Sequence, residues 1–113
     1  MYTSLLLFRN ELKNNKIPLY KIVGILSVLL LSKEIFPHNE MIKGFLMEIL
    51  GLSYKEYVFR SRTLLCARVT RDLINEKVVN DYKLKLYKFL ETQIEVLKRR
   101  DNIKENNKLN GWI

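Results

Sequence analysis

The stretch IVGILSVLLL, Ile22 to Leu31, decides the fold, because apart from Ser27 its ten residues are all apolar or glycine. A membrane-crossing helix needs roughly 20 such residues. Lys21 on one side and Lys33 and Glu34 on the other close the window early. A helix apolar on all sides over about three turns is instead expected at the centre of a helical bundle. Gly24 and Ser27, about one turn apart, leave room for another helix to approach closely.

Helices are expected on either side of this stretch. Pro18 suits the first turn of the same helix, since it lacks only an N–H that would be unpaired there. The helix is expected to run to about Ile35, because Phe36 cannot easily stay helical before Pro37. An earlier helix is predicted from Thr3 or Ser4 to about Asn14, with Leu5, Leu6, Phe8 and Leu12 on its apolar side. Asn39 is the next candidate cap, ahead of a third helix from Glu40 to Leu50 that Gly51 ends. Ser53 followed by Glu56 is a capping-box pattern, predicting a fourth helix to about Asn75. A fifth is expected from near Lys77, with Val79, Tyr82, Leu86, Phe89, Leu90, Gln93 and Leu97 at heptad spacing; helices four and five joined as one rod is the alternative.

The composition agrees with this pattern. Only 4 Gly and 2 Pro punctuate 113 residues, too few for the turns of a many-stranded sheet. Hydrophobic residues make up 48% and charged residues 28%, a globular balance well away from disorder. The expectation is an all-α fold, a compact bundle of four to five helices forming one domain over residues 1–100, with 101–113 as a frayed polar tail. Met1 to Phe8 has no basic leading region and no small-residue cleavage site, so it reads poorly as a secretory signal. With a single cysteine, Cys66, no internal disulfide is possible and a cytoplasmic setting is expected.

Enzyme chemistry finds little support. His38, the one histidine, follows Pro37 in a turn and has no partner at metal-ligand spacing. The glycines form no phosphate-binding loop. Glu91 and Glu95 lie one turn apart, but no second set with His completes a di-metal site. Cys66 falls on an apolar helix side, where cysteine behaves as a small hydrophobe. No catalytic residue, metal or cofactor is expected.

The net charge of +8 is the sharper signal. Part of the Lys excess follows the abundance of Lys, Asn and Ile, residues that adenine- and thymine-rich codons favour, but Arg is not explained that way. Four of the seven arginines lie between Arg60 and Arg71, and Arg99 and Arg100 are neighbours. The segment from Met41 to Arg71 has a helix, a glycine-containing turn and a second helix bearing Tyr54, Lys55, Arg60 and Arg62, a helix-turn-helix-like outline at about 40–75. On a helical wheel Arg60, Arg68 and Arg71 share one side, with Glu56 placed to pair with Arg60. Such a stripe suits phosphates, and is equally what a solvated basic face looks like. Arg62 falls among Val58, Phe59, Leu65, Cys66 and Val69, so it must snorkel, pair with a carboxylate such as Glu48, or anchor a partner. Lys98, Arg99 and Arg100 complement the dipole at a helix end, and join the same patch if the fifth helix lies beside the fourth.

Two functions are therefore expected. The first is a small nucleic-acid-associated regulatory or accessory protein, holding DNA or RNA phosphates with Lys55, Arg60, Arg68, Arg71 and the cluster from Lys98 to Arg100, while Arg62 or Tyr57 makes a more specific contact. The second is a protein-binding helical adaptor, inhibitor, antitoxin or immunity protein, docking through Tyr82, Tyr87, Phe89, the Trp112 tail and Arg62. A homodimer is expected and membrane association is not.

Overall fold

In the computed structural model, which describes the backbone of residues 1–110 and the side chains of residues 1–101, every regular element is helical. Five α-helices follow in order: α1 (Tyr2–Leu12), α2 (Leu19–Leu31), α3 (Glu40–Phe45), α4 (Arg62–Ile74) and α5 (Tyr82–Asn110). α3 widens at its end into a π-helical turn, Leu46–Leu50, and a 3-10 turn, Glu56–Arg60, precedes α4. No strand occurs among the described residues, and no helix is long and apolar enough to cross a membrane.

The helices pack in pairs. α1 lies along α5 and α2 along α4, with the end of α3 set against α5 and the 3-10 turn. Leu5, Leu29, Leu30, Ile42, Leu46, Leu50, Leu65, Leu86 and Leu90 have no exposed surface, and they weld all five helices into one core. Phe36, Phe45 and Phe89 add an aromatic cluster with ring centroids 4.7 to 6.0 Å apart.

Several boundaries differ from the sequence expectation. α2 stops at Leu31 rather than Ile35, because Ser32 turns extended (ψ 118°) and its hydroxyl accepts the Ile35 N–H at 3.2 Å. The capping box at Ser53 does not open a helix. Ser61 caps α4 instead, its hydroxyl accepting the Leu64 N–H at 3.2 Å. Gly51 does end α3, in the left-handed conformation (φ 70°), with the Leu52 N–H reaching back to the Leu46 carbonyl at 3.1 Å. A side chain there would collide with Val79, so glycine is needed for packing as well as for φ. α4 and α5 are separate helices: the chain reverses at Glu76 (φ 56°), and the Lys77 N–H bonds the Asp72 carbonyl at 2.9 Å. α5 continues to Asn110, beyond the point where the heptad pattern ends.

α2 is not wrapped on all sides. Ile22, Ile25, Leu26, Leu29 and Leu30 are buried, whereas Tyr20 is 73% and Leu31 53% exposed. No helix packs directly on Gly24, where an added Cβ would meet nothing within 4 Å. The apolar run therefore supplies one core face and a second apolar face that the fold leaves open.

Candidate nucleic-acid interface

The segment between α3 and α4 builds this surface. It runs through residues 51–61 and includes its own 3-10 turn, so the connection is longer than the three- or four-residue turn of a helix-turn-helix. Val58 and Phe59 are buried and anchor the turn to the core. A 3-10 helix repeats every three residues, which places Tyr57 and Arg60 on the same outer edge. Both are exposed, as is Lys55 at the start of the turn. Glu56 does not pair with Arg60; it receives the Lys43 ammonium, whose pKa is raised chiefly by that hydrogen bond.

The turn lies against the C-terminal half of α4. The Arg68 guanidinium donates to the Tyr57 hydroxyl at 3.2 Å. Arg71, one turn further on, leaves half its side chain in solvent and rests at 3.4 Å from the Asp72 carboxylate. Sequence spacing then sets Arg60 one 3-10 turn from Tyr57 and Arg71 nearly one α-helical turn from Arg68, so the four residues form a row centred on the Arg68 to Tyr57 contact. The helical wheel groups these arginines on one continuous helix, whereas Arg60 lies in the 3-10 turn outside α4. Neither Arg60 nor Arg68 is in an ion pair among the described residues.

Beneath the row sits a polar contact that the sequence reading missed. Asp72 is only 4% exposed, and its carboxylate accepts the Tyr54 hydroxyl at 2.6 Å. Burial, and then the neighbouring Asp72 charge, push the Tyr54 phenol well above its ordinary range, partly opposed by Arg71 and Arg68. Asp72 follows Leu65 and Val69 at helical spacing on the buried side of α4, and an acid on that stripe is the signal that points to it.

Arg62 belongs to the interior. It is 9% exposed, and its guanidinium donates to the Leu30 and Ser32 carbonyls, each at 3.1 Å, to the Phe36 carbonyl, and to Asn39 Oδ1 at 2.8 Å. Glu48 is exposed and is not its counter-ion. The Leu30 carbonyl lies in the last turn of α2, where carbonyls lack helical partners and carry the negative end of the dipole, and the Ser32 carbonyl just beyond it accepts from the Phe36 N–H at 3.0 Å as well as from Arg62, so together they hold a cation without a carboxylate. Asn39 does not cap α3 with its side chain; it bonds Arg62 on one side and the Phe59 carbonyl at 2.6 Å on the other. Arg62 is thereby withdrawn from both binding surfaces expected of it.

Other expected residues are dispersed. Lys98, Arg99 and Arg100 are exposed. They follow Tyr82, which shares an open cleft with Leu73 and Ile74 of α4, by about 24 Å along α5 at 1.5 Å per residue. α5 packs chiefly on α1 and α4 on α2, so the condition for one merged basic patch, the fifth helix lying beside the fourth, is not met. Phe89 packs in the aromatic cluster, and Tyr82 and Tyr87 are half-buried against the core. Trp112 lies outside the described residues. Cys66 faces α2, its thiol 4.0 Å from the Ser27 carbonyl, and burial pushes its pKa up. Among the described residues no three His, Cys, Asp or Glu side chains gather as a metal site.

Comparison with protein-family models, curated proteins and solved structures finds no match to the chain. Its function is argued from these residues alone.

Proposed function

We propose that the protein binds nucleic acid through phosphate contacts along the row of Arg60, Tyr57, Arg68 and Arg71, acting as a small cytoplasmic regulatory or accessory protein without turnover. The observation that carries this reading is the Arg68 to Tyr57 contact, which joins cations from two elements into one exposed surface. Lys55 extends that surface, and the net charge of +8 attracts polyanions over longer range. Lys98, Arg99 and Arg100 contribute to that general attraction rather than to the row. The test is anisotropy titration of labelled DNA and RNA oligonucleotides at several salt concentrations. Affinity is expected to fall steeply with salt, and Arg68→Ala and Arg71→Ala each to lower the log–log slope by about one. No retention at about 50 mM salt overturns the proposal.

A second reading rests on a different observation, the open apolar face of α2. Tyr20, Val28 and Leu31 are exposed in line with Gly24, and Leu7 of α1 is 60% exposed. Exposed apolar surface of this kind suits a protein partner, including a second copy in a homodimer. Here the docking residues are those of α2 rather than Tyr82, Tyr87 or Phe89. Association that Tyr20→Glu abolishes and Arg68→Ala leaves intact, measured by sedimentation or by capture of a defined partner, is the outcome this reading requires.

A further inference from the structure

We infer that the nucleic acid taken by this surface is single-stranded, with a base stacked on Tyr57 between phosphates held by Arg60 and Arg68. The inference rests on the phosphate-binding reading and adds the form of the ligand. Tyr57 is 49% exposed although it sits in a turn whose next two residues, Val58 and Phe59, are buried. Its hydroxyl is tied to Arg68, so the side chain is held at its tip while half of its surface stays open. A tyrosine fixed in this way loses little further freedom on binding. Arg68 holds the hydroxyl end of Tyr57, and Arg60 follows it by one turn of the 3-10 helix on the exposed edge, so cations flank it along the chain and across the contact. Alternating cations and an open aromatic ring match a strand whose bases are unstacked, since every base offers a π-face.

A duplex fits the same surface poorly. Its base faces are stacked inside, so Tyr57 would meet only phosphate or sugar. Major-groove reading needs a helix with a polar, projecting face. α4 instead commits Arg62, Leu65, Val69, Asp72 and Leu73 to the interior, and apart from the partly buried Arg68, which is tied to Tyr57, its outer strip of Thr63, Ala67, Arg71 and Ile74 has one long polar side chain.

The experiment compares a 20-nucleotide oligo-dT with a 20-base-pair duplex at about 50 mM salt, using the full chain and its Tyr57→Ala, Tyr57→Phe and Arg68→Ala variants. The unmodified protein is expected to prefer the single strand by about tenfold or more, and Tyr57→Ala to lose on the order of tenfold on that ligand alone. Tyr57→Phe, which keeps the ring and loses the hydroxyl, should stay within about threefold of the unmodified protein. Arg68→Ala should weaken both ligands. Equal or tighter duplex binding, or unchanged oligo-dT affinity in Tyr57→Ala, overturns the single-strand inference, and an Arg68→Ala loss in the same series leaves the phosphate reading standing. Absence of binding to both ligands removes both. Thermal unfolding checks that each variant is folded, as expected with Tyr57 exposed and Arg68 only partly buried.

Discussion

At the N-terminal end of α4 Arg62 is enclosed by the backbone carbonyls that follow α2, while Arg68 and Arg71 on the same helix stand at the surface beside two tyrosines. What separates them is the element each end meets. α4 packs on α2, and its first residue reaches the Leu30 carbonyl in the last turn of α2 and the Ser32 carbonyl just past it. Its later turns meet Tyr54 and Tyr57, whose polar tips reach the edge of the core. One arginine is therefore engaged within the fold and the other two are left at its surface.

The largest effect expected from this contrast is on stability. Arg62→Ala strips donors from the Leu30, Ser32 and Phe36 carbonyls and from Asn39, and should destabilise by about 3 kcal/mol or more in urea unfolding. Arg62→Lys keeps the charge but loses the planar fork, and should fall between the two. Arg68→Ala and Arg71→Ala should each stay within about 0.5 kcal/mol of the unmodified protein. A cost below about 1 kcal/mol for Arg62→Ala would break the comparison, because the carbonyls would then be satisfied without it.

A smaller effect tests the polar contact under the row. Tyr54→Phe leaves the Asp72 carboxylate without its 2.6 Å donor and should cost about 1 to 2 kcal/mol. The pH dependence has a definite sign. Because the folded state raises the Tyr54 pKa, its contribution is intact below the ordinary tyrosine value of about 10 and is lost as pH rises above that. Tyr82, also raised by burial, adds in the same direction. Melting temperature should thus fall more steeply from pH 9 to 11 or so in the unmodified protein than in Tyr54→Phe. Parallel profiles would mean that Tyr54 does not carry the shift.

The helical architecture was legible because the apolar spacing of α1, α3 and α5, and the Gly51 stop, are local signals. The start of α4 was not. Ser53 and Glu56 satisfy the capping-box pattern, yet Lys43 of α3 takes Glu56 by an ion pair across the fold. Burial of Val58 and Phe59 then holds the chain in a 3-10 turn. Arg62 was legible as misplaced, since its wheel neighbours are apolar, but its partners were not, because backbone carbonyls leave no trace in side-chain chemistry. A wheel groups Arg60 with Arg68 and Arg71 only by assuming one continuous helix, and the Tyr57 to Arg68 contact between the turn and α4 is a tertiary one that no periodicity signals.

The smallest effect concerns the far side of α2, where Gly24 lines an open groove with Phe8 and Glu11 of α1. Glycine inside a helix costs about 0.5 to 1 kcal/mol relative to alanine, and an added Cβ at Gly24 would touch nothing. Gly24→Ala should therefore raise stability by about that amount in the isolated chain. If α4 and its turn carry the ligand, oligonucleotide affinity is unchanged, because the substitution lies on the side of α2 that meets α1. If a partner helix seats against α2, the same methyl holds it away and weakens association even as the chain becomes more stable. A Gly24→Ala variant that gains stability, keeps oligonucleotide binding and loses self-association would show the two surfaces to be independent. Loss of oligonucleotide binding in that variant would instead move the ligand off the row of arginines and onto α2.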